Sequence, residues 1–192
     1  MKFLIVIFLS LFLTSNISAD NIEDYEVMGM SVGDSLLLHY DEKKIIKANR
    51  YDHTNTSWNN DKMFQLRMPG TGPYTEIMFA LKKDDKDYII YAISGLEKMA
   101  NNISECYPKL KKITKEFEKQ FPNAYLQERV KPHSGDKSKK STVTSSTFFF
   151  DNGDFVSASC YDWTKKMKYW DNFRITITTK EFDDWLIKSY KK

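Results

Sequence analysis

The chain has 192 residues, with 29 basic and 26 acidic side chains and a formal net charge of +3. So near a balance supplies no dense positive field of the kind nucleic-acid binding needs, and no nucleic-acid partner is expected. Aromatic residues make up 15% of the chain, with only seven glycines and five prolines, a composition that excludes a disordered polymer and fits one packed domain.

The N-terminus reads as an export signal. Lys2 supplies a positive start, an apolar run from Phe3 to Leu13 follows, and Ile17-Ser18-Ala19 presents small or aliphatic residues at a cleavage point. The run is well short of the ~20 residues that cross a bilayer. Residues 1–19 are therefore expected to be removed, leaving residues 20–192 as one exported domain, periplasmic or extracellular, with no membrane span after cleavage. Export also changes the reading of the only two cysteines, Cys106 and Cys160. In an oxidising compartment two lone cysteines in one domain are most simply a disulfide; the competing readings are a thiol nucleophile or two buried, unpaired thiols.

In chain order, residues 25–29 read as a short first strand, and residues 31–35 as a turn whose Asp34 or Ser35 caps a helix carrying Leu36, Leu37 and Tyr40. Asp41 and Glu42 interrupt it as a second cap. Residues 51–61 read as a polar loop and 63–68 as a strand. Residues 75–83 and 88–96 form a first hairpin, with Leu81 opposite Ile90 and Phe79 opposite Ala92. Ile103, Cys106, Tyr107, Leu110, Ile113, Phe117 and Phe121 make one helical stripe, with Pro108 in its first turn and Pro122 at its end. Asn152-Gly153 marks a second hairpin; a two-residue turn there sets Phe149 opposite Val156 and Ser145 opposite Cys160. Cys106 is then on a buried helical stripe and Cys160 on an inward strand face, which brings the sulfurs together. Phe173, Ile175 and Ile177 alternate with Arg174, Thr176 and Thr178 as a last strand, and Thr178 with Glu181 forms a capping box for a C-terminal helix burying Phe182, Trp185 and Leu186. The expected fold is α+β: two antiparallel hairpins plus further strands in a sheet, packed by the central amphipathic helix and the C-terminal helix.

Little of this chain resembles reaction chemistry. His39, His53 and His133 lack a second His or Cys at zinc-site spacing, so no metal site is expected. Asp151-Asn152-Gly153-Asp154 lacks the distal Glu of a calcium loop. There is no nucleophile elbow and no glycine-rich phosphate loop, no acid/base carboxylate pair stands out, and no cofactor is expected. Two surface features remain. Tyr161, Trp163, Tyr169 and Trp170 cluster among lysines and form either a contact surface or a cover for the open end of the sheet. Residues 129–142, with Arg129, Lys131, Lys137, Lys139 and Lys140, read as a mobile basic loop, or alternatively as an anion patch for phosphate-bearing envelope polymers or lipid headgroups.

The stretch Gly29-Met30-Ser31-Val32-Gly33-Asp34-Ser35-Leu36-Leu37, soon after a signal peptide, resembles the opening of small exported bacterial proteins, mostly uncharacterised, and the Lys-, Asn- and Ile-rich composition is similar to such proteins from AT-rich genomes. Gly29-Met30-Ser31 also resembles the Gly-Met-Ser/Thr opening of the BamE/SmpA-like family, although no lipobox cysteine is present and Leu37-Leu38-His39-Tyr40 stands where that family has Leu-Leu-Gly-x-Pro. The resemblance implies a bacterial envelope protein. The sequence thus favours an exported, non-catalytic binding or accessory protein with an unidentified envelope protein or polymer as partner. The alternatives are a hydrolase or thiol enzyme with a site assembled from dispersed residues, and a structural envelope component.

Overall fold

The computed structural model describes residues 21–51, 62–99 and 102–190. The expected leader at residues 1–19, and all but the first residue of the expected loop at 51–61, lie outside the described residues.

Seven strands form one antiparallel sheet: β1 (Met63–Pro69), β2 (Glu76–Lys82), β3 (Ala92–Lys98), β4 (Tyr125–Pro132), β5 (Thr142–Phe149), β6 (Phe155–Asp162) and β7 (Asn172–Thr178). Their order across the sheet is β1-β2-β3-β7-β6-β5-β4. The chain lays down β1 to β3, leaves the centre on helix α2 (Cys106–Gln120), and re-enters at the far edge with β4. It then winds back until β7 pairs with β3. The fold is α+β, as the residue patterns predict.

The alternation of β6 and β7 decides which face receives α2. Val156, Ala158 and Cys160, with Phe173, Ile175 and Ile177, point to one side and are at most 5% exposed. Leu110 and Phe117 of α2 meet them, and Pro108 sits harmlessly in the helix's first turn, where its missing N–H has no partner to lose. Phe117 packs edge-on against Phe148 and Tyr25, with ring centroids 5.7 and 5.2 Å apart, and Phe121 closes the group. Thr114, facing the same side, donates to Ser146 and to the Leu110 carbonyl at 2.8 Å, so this buried hydroxyl is satisfied. Cys106 and Cys160 are joined in a disulfide with Cα atoms 5.9 Å apart, fastening the start of α2 to β6.

Several local expectations are corrected. Residues 25–29 are not a strand; Val27 and Met30 bridge across a tight turn in which Met28 and Gly29 both take positive φ. The helical run is broken at Asp41 and Glu42, as expected: a short 3-10 turn, Leu36–Leu38, capped by Ser35, precedes helix α1 (Glu42–Tyr51), which buries Ile45. The first hairpin is shifted by one residue: Ala80, not Phe79, stands opposite Ala92. Residues 88–90 are drawn off to pair with the N-terminal segment instead, through Gly33 N–H to Ile90 O and Ile90 N–H to Asp34 O, while Tyr91 N–H still donates to Ala80 O on β2.

The second hairpin is shifted in the same way, with Phe148 opposite Val156 and Ser145 opposite Ser159; Cys160 faces Thr144. Its loop is longer than two residues. Gly153 N–H donates to Phe150 O, Phe150 N–H to Asp154 O, and only Gly153 has positive φ, the pattern of a turn followed by a glycine bulge. Finally, Thr179 rather than Thr178 caps helix α3 (Lys180–Tyr190): its hydroxyl accepts from Phe182 N–H, while Thr178 stays in β7.

The disulfide closes a segment with a sequence separation of 54 residues. Replacing both cysteines by alanine should lower the unfolding free energy by about 2–4 kcal/mol, through a larger unfolded ensemble. Urea titration of the double variant beside the oxidised protein measures this, and an unchanged midpoint would count against the staple.

Candidate functional site

Among the described residues, the sheet face opposite α2 is covered at one end only. There α3 lays Phe182 and Trp185 over Met63, Ala80 and Ala92, and the two small alanines leave room for the stacked rings. The rest of that face is a groove of about 540 Å³.

Antiparallel pairing arranges its floor in rows, because residues opposite each other point to the same side. One row runs Ala80, Ala92, Thr178, Phe155, Phe149 and is mostly apolar. The next runs Met78, Ser94, Thr176, Ser157, Thr147, Gln127, and is dominated by hydroxyls; Ser94 and Thr176 hydrogen-bond each other at 2.9 Å. The third runs Leu96, Arg174, Ser159, Ser145, Arg129 and brings in two cations. The last runs Asn172, Tyr161, Val143, Lys131. The groove therefore grades from apolar under α3, through hydroxyls, to basic and aromatic.

Arg174 occupies the basic part of the floor. Its guanidinium carbon lies 4.2 Å from the centroid of the Tyr161 ring, and its Nε is buried without a hydrogen-bond partner. Tyr161 stacks with Trp163 at 5.9 Å and 20°, Trp163 meets His133 at 4.3 Å and Tyr169 at 4.9 Å, and the Trp163 N–H donates to Asp171. Burial, reinforced by the positive charges of Arg174 and Lys131 against the opposing pull of Asp136, holds the His133 imidazole below its ordinary pKa. Burial likewise raises the carboxyl of Asp183, which reaches the groove from α3.

Of the four aromatics expected to form one cluster, three are in contact. Tyr161 stacks on Trp163, and Trp163 meets His133 and, edge-on, Tyr169, whereas Trp170 is 61% exposed with the Lys98 ammonium 3.3 Å above its ring. The basic residues also separate. The stretch at 129–142 is not one loop: Arg129 and Lys131 lie on the edge strand β4 and line the groove, while Lys137, Lys139 and Lys140 sit exposed on the following turn. That turn is organised by buried Asp136, whose carboxylate accepts from the hydroxyls and N–H groups of Ser138 and Ser141. These bonds hold the Asp136 carboxyl well below the usual carboxylate range. Ser141 in turn accepts from Thr164 N–H at 3.1 Å, tying the turn to the segment that carries Trp163.

The hydroxyl row and Arg174's place beside Tyr161 were not identified from the sequence. Their signal is the regular alternation of Ser157, Ser159 and Thr176 with buried apolar residues in β6 and β7. Among the described residues no group of His, Cys, Asp or Glu is arranged to hold a metal ion. Hydroxyls, amides and guanidinia in this array can donate to and accept from a bound molecule. No family model, curated protein or solved structure gives a significant match to the chain.

Because Asp136 is held as a carboxylate, its contribution to the turn is full above pH 3.8 and fades as pH falls below that value. Asp136→Asn should speed amide hydrogen exchange at Ser138 and Ser141 at neutral pH, leaving β6 and β7 protected. Exchange by NMR measures this, and unchanged protection of the turn would remove Asp136 as its organiser.

Proposed function

We propose that the protein is an exported, non-catalytic binding protein of the bacterial cell envelope, and that its contact surface is the open sheet face together with the Tyr161–Trp163–Tyr169 stack at its end. The observation that carries this reading is the groove itself. Its volume lies within the range of about 300–1,000 Å³ common for small-ligand sites, and its floor presents hydroxyl, guanidinium and aromatic groups in register across the central strands. The face under α2 is by contrast mostly apolar, with the Thr114–Ser146 pair buried within it. Export is supported by the leader-like residues 1–19 and is compatible with the disulfide. That pairing also occupies both cysteines, which weakens the thiol-enzyme alternative.

Expressed in a bacterial host, the chain should be recovered outside the cytoplasm with Asp20 at its N-terminus. Intact-mass measurement of that fraction tests export, and retention of the full leader in the cytoplasm would refute it. In the native envelope, a photo-crosslinking side chain in place of Trp163 or Tyr169 should capture a partner that one in place of Lys111, exposed on α2, does not. Equal capture from all three positions, or capture from Lys111 alone, would move the contact surface elsewhere.

A further inference from the structure

The groove's chemical gradient narrows what it can hold. Its apolar end is lined by Phe149, Phe155 and Ala92 of the sheet and by Phe182 and Leu186 of α3. Two rows away lies Arg174, half-buried, with no carboxylate paired to it among the described residues and with its Nε left without an acceptor. A buried donor with no partner is a cost to the empty protein, the more so where the group is charged. Stacking on Tyr161 holds the guanidinium plane in place but supplies no hydrogen-bond acceptor. Arg129 lies in the same cross-sheet row, three strands away, so its Cα is about 14 Å from that of Arg174 at ordinary strand spacing. Lys131 lines the groove beside it. The one lining carboxylate, Asp183, is on α3, where the charges of Lys180 and Lys131 act on it.

We infer that the groove binds a small anionic amphiphile, whose carboxylate or phosphate group is held by Arg174 with Arg129 and Lys131 flanking, and whose apolar part lies along Phe149 and Phe155 beside α3. This rests on the proposed role of the sheet face as a contact surface. The planar fork of an arginine matches both oxyanions in a way a lysine does not. The serine and threonine row between the two ends offers hydrogen bonds to any linking ester or hydroxyl group. An entirely apolar ligand would leave Arg174 unpartnered, and a neutral sugar would leave the end beside α3 unfilled.

The test is calorimetry and amide NMR on the full exported protein with four probes: decanoate, decyl phosphate, decanol and maltotriose. Decanoate, decyl phosphate or both should bind at one site and shift amides of β5, β6 and β7, with decanol at least about tenfold weaker; the preferred anion identifies the headgroup. Arg174→Gln should weaken the anions at least about tenfold and Arg174→Lys less, with the melting curve unchanged, while Lys111→Gln should have no effect. Should Arg174→Gln fail to fold, Arg129→Gln and the comparison of decanoate with decanol on the unaltered protein still decide the matter. Tight binding of decanol or maltotriose in the groove with no preference for the anions would overturn the inference and leave the groove as a contact surface. No shift in groove amides with any probe, together with crosslinking that misses the groove, would overturn both.

Discussion

The seat of α2 on the inner strands is the contact on which the rest of this structure depends. It combines a covalent tie, Cys106 to Cys160, with an interlocked set of rings from Phe117, Phe121, Phe148 and Tyr25. The two parts do different things. The rings remove apolar surface from water, while the disulfide limits how far the helix and strand separate in the unfolded chain. Because α2 is also the crossing from β3 to the far edge of the sheet, fixing it on one face determines where β4 enters. It thereby determines that β7 returns to the centre beside β3. Lys109, one turn into the helix, reaches Glu97 on β3 and reinforces the crossing at its start.

With α2 and the N-terminal segment committed to one face, α3 alone among the described elements lies on the other, and it is too short to cover seven strands. Asp154 of the second hairpin accepts from the first N–H of α3 at 2.7 Å, and Thr179 supplies the cap. Both anchor the helix at the end of the sheet where Ala80 and Ala92 make room for its rings. Beyond the reach of α3 the side chains become hydroxyl-bearing, then cationic. Ser94, Ser157 and Ser159 are nonetheless buried in the groove floor, and the Ser94–Thr176 hydrogen bond offsets part of the desolvation cost there. The ordering of this face into separate apolar, hydroxyl and basic rows goes further than solubility requires, and it is this ordering that gives the groove its chemistry.

Much of the architecture could be read from periodicity. The 3.6-residue stripe from Cys106 to Phe117 and the alternation in β6 and β7 were enough to put both cysteines on facing surfaces, and hence to pair them. The failures are local and share a cause: a neighbour distant in sequence, or one extra turn residue, took over a backbone group. Residues 88–90 leave the first hairpin because the segment from Gly33 to Leu36 offers them partners. Thr178 is lost as a cap because it completes the pairing with Ala92 and Phe155, and the role falls to Thr179. Arg129 and Lys131 read as loop because lysine-rich polar sequence looks the same on a solvated edge strand. Only the pairing of β4 with β5 distinguishes the two. The aromatic cluster was visible as a cluster, but composition alone did not separate Trp170 from the stack around Trp163.

The one-residue correction in the second hairpin matters beyond register, since a shift of one residue turns every side chain of a strand to the opposite face. Opposite Val156, whose face is set by Cys160 and Ala158, a two-residue turn would place Phe149, Thr147 and Ser145 against α2. Phe148 would then point to solvent, although its ring is needed between Phe117 and Phe121. The extra residue in the loop, taken up where Gly153 adopts φ 87°, prevents this. It is also what places Thr147 and Ser145 beside Ser157 and Ser159 on the open face. A side chain at Gly153 would be strained at that φ. The same glycine thus secures the ring that seats α2 and the hydroxyl row of the groove.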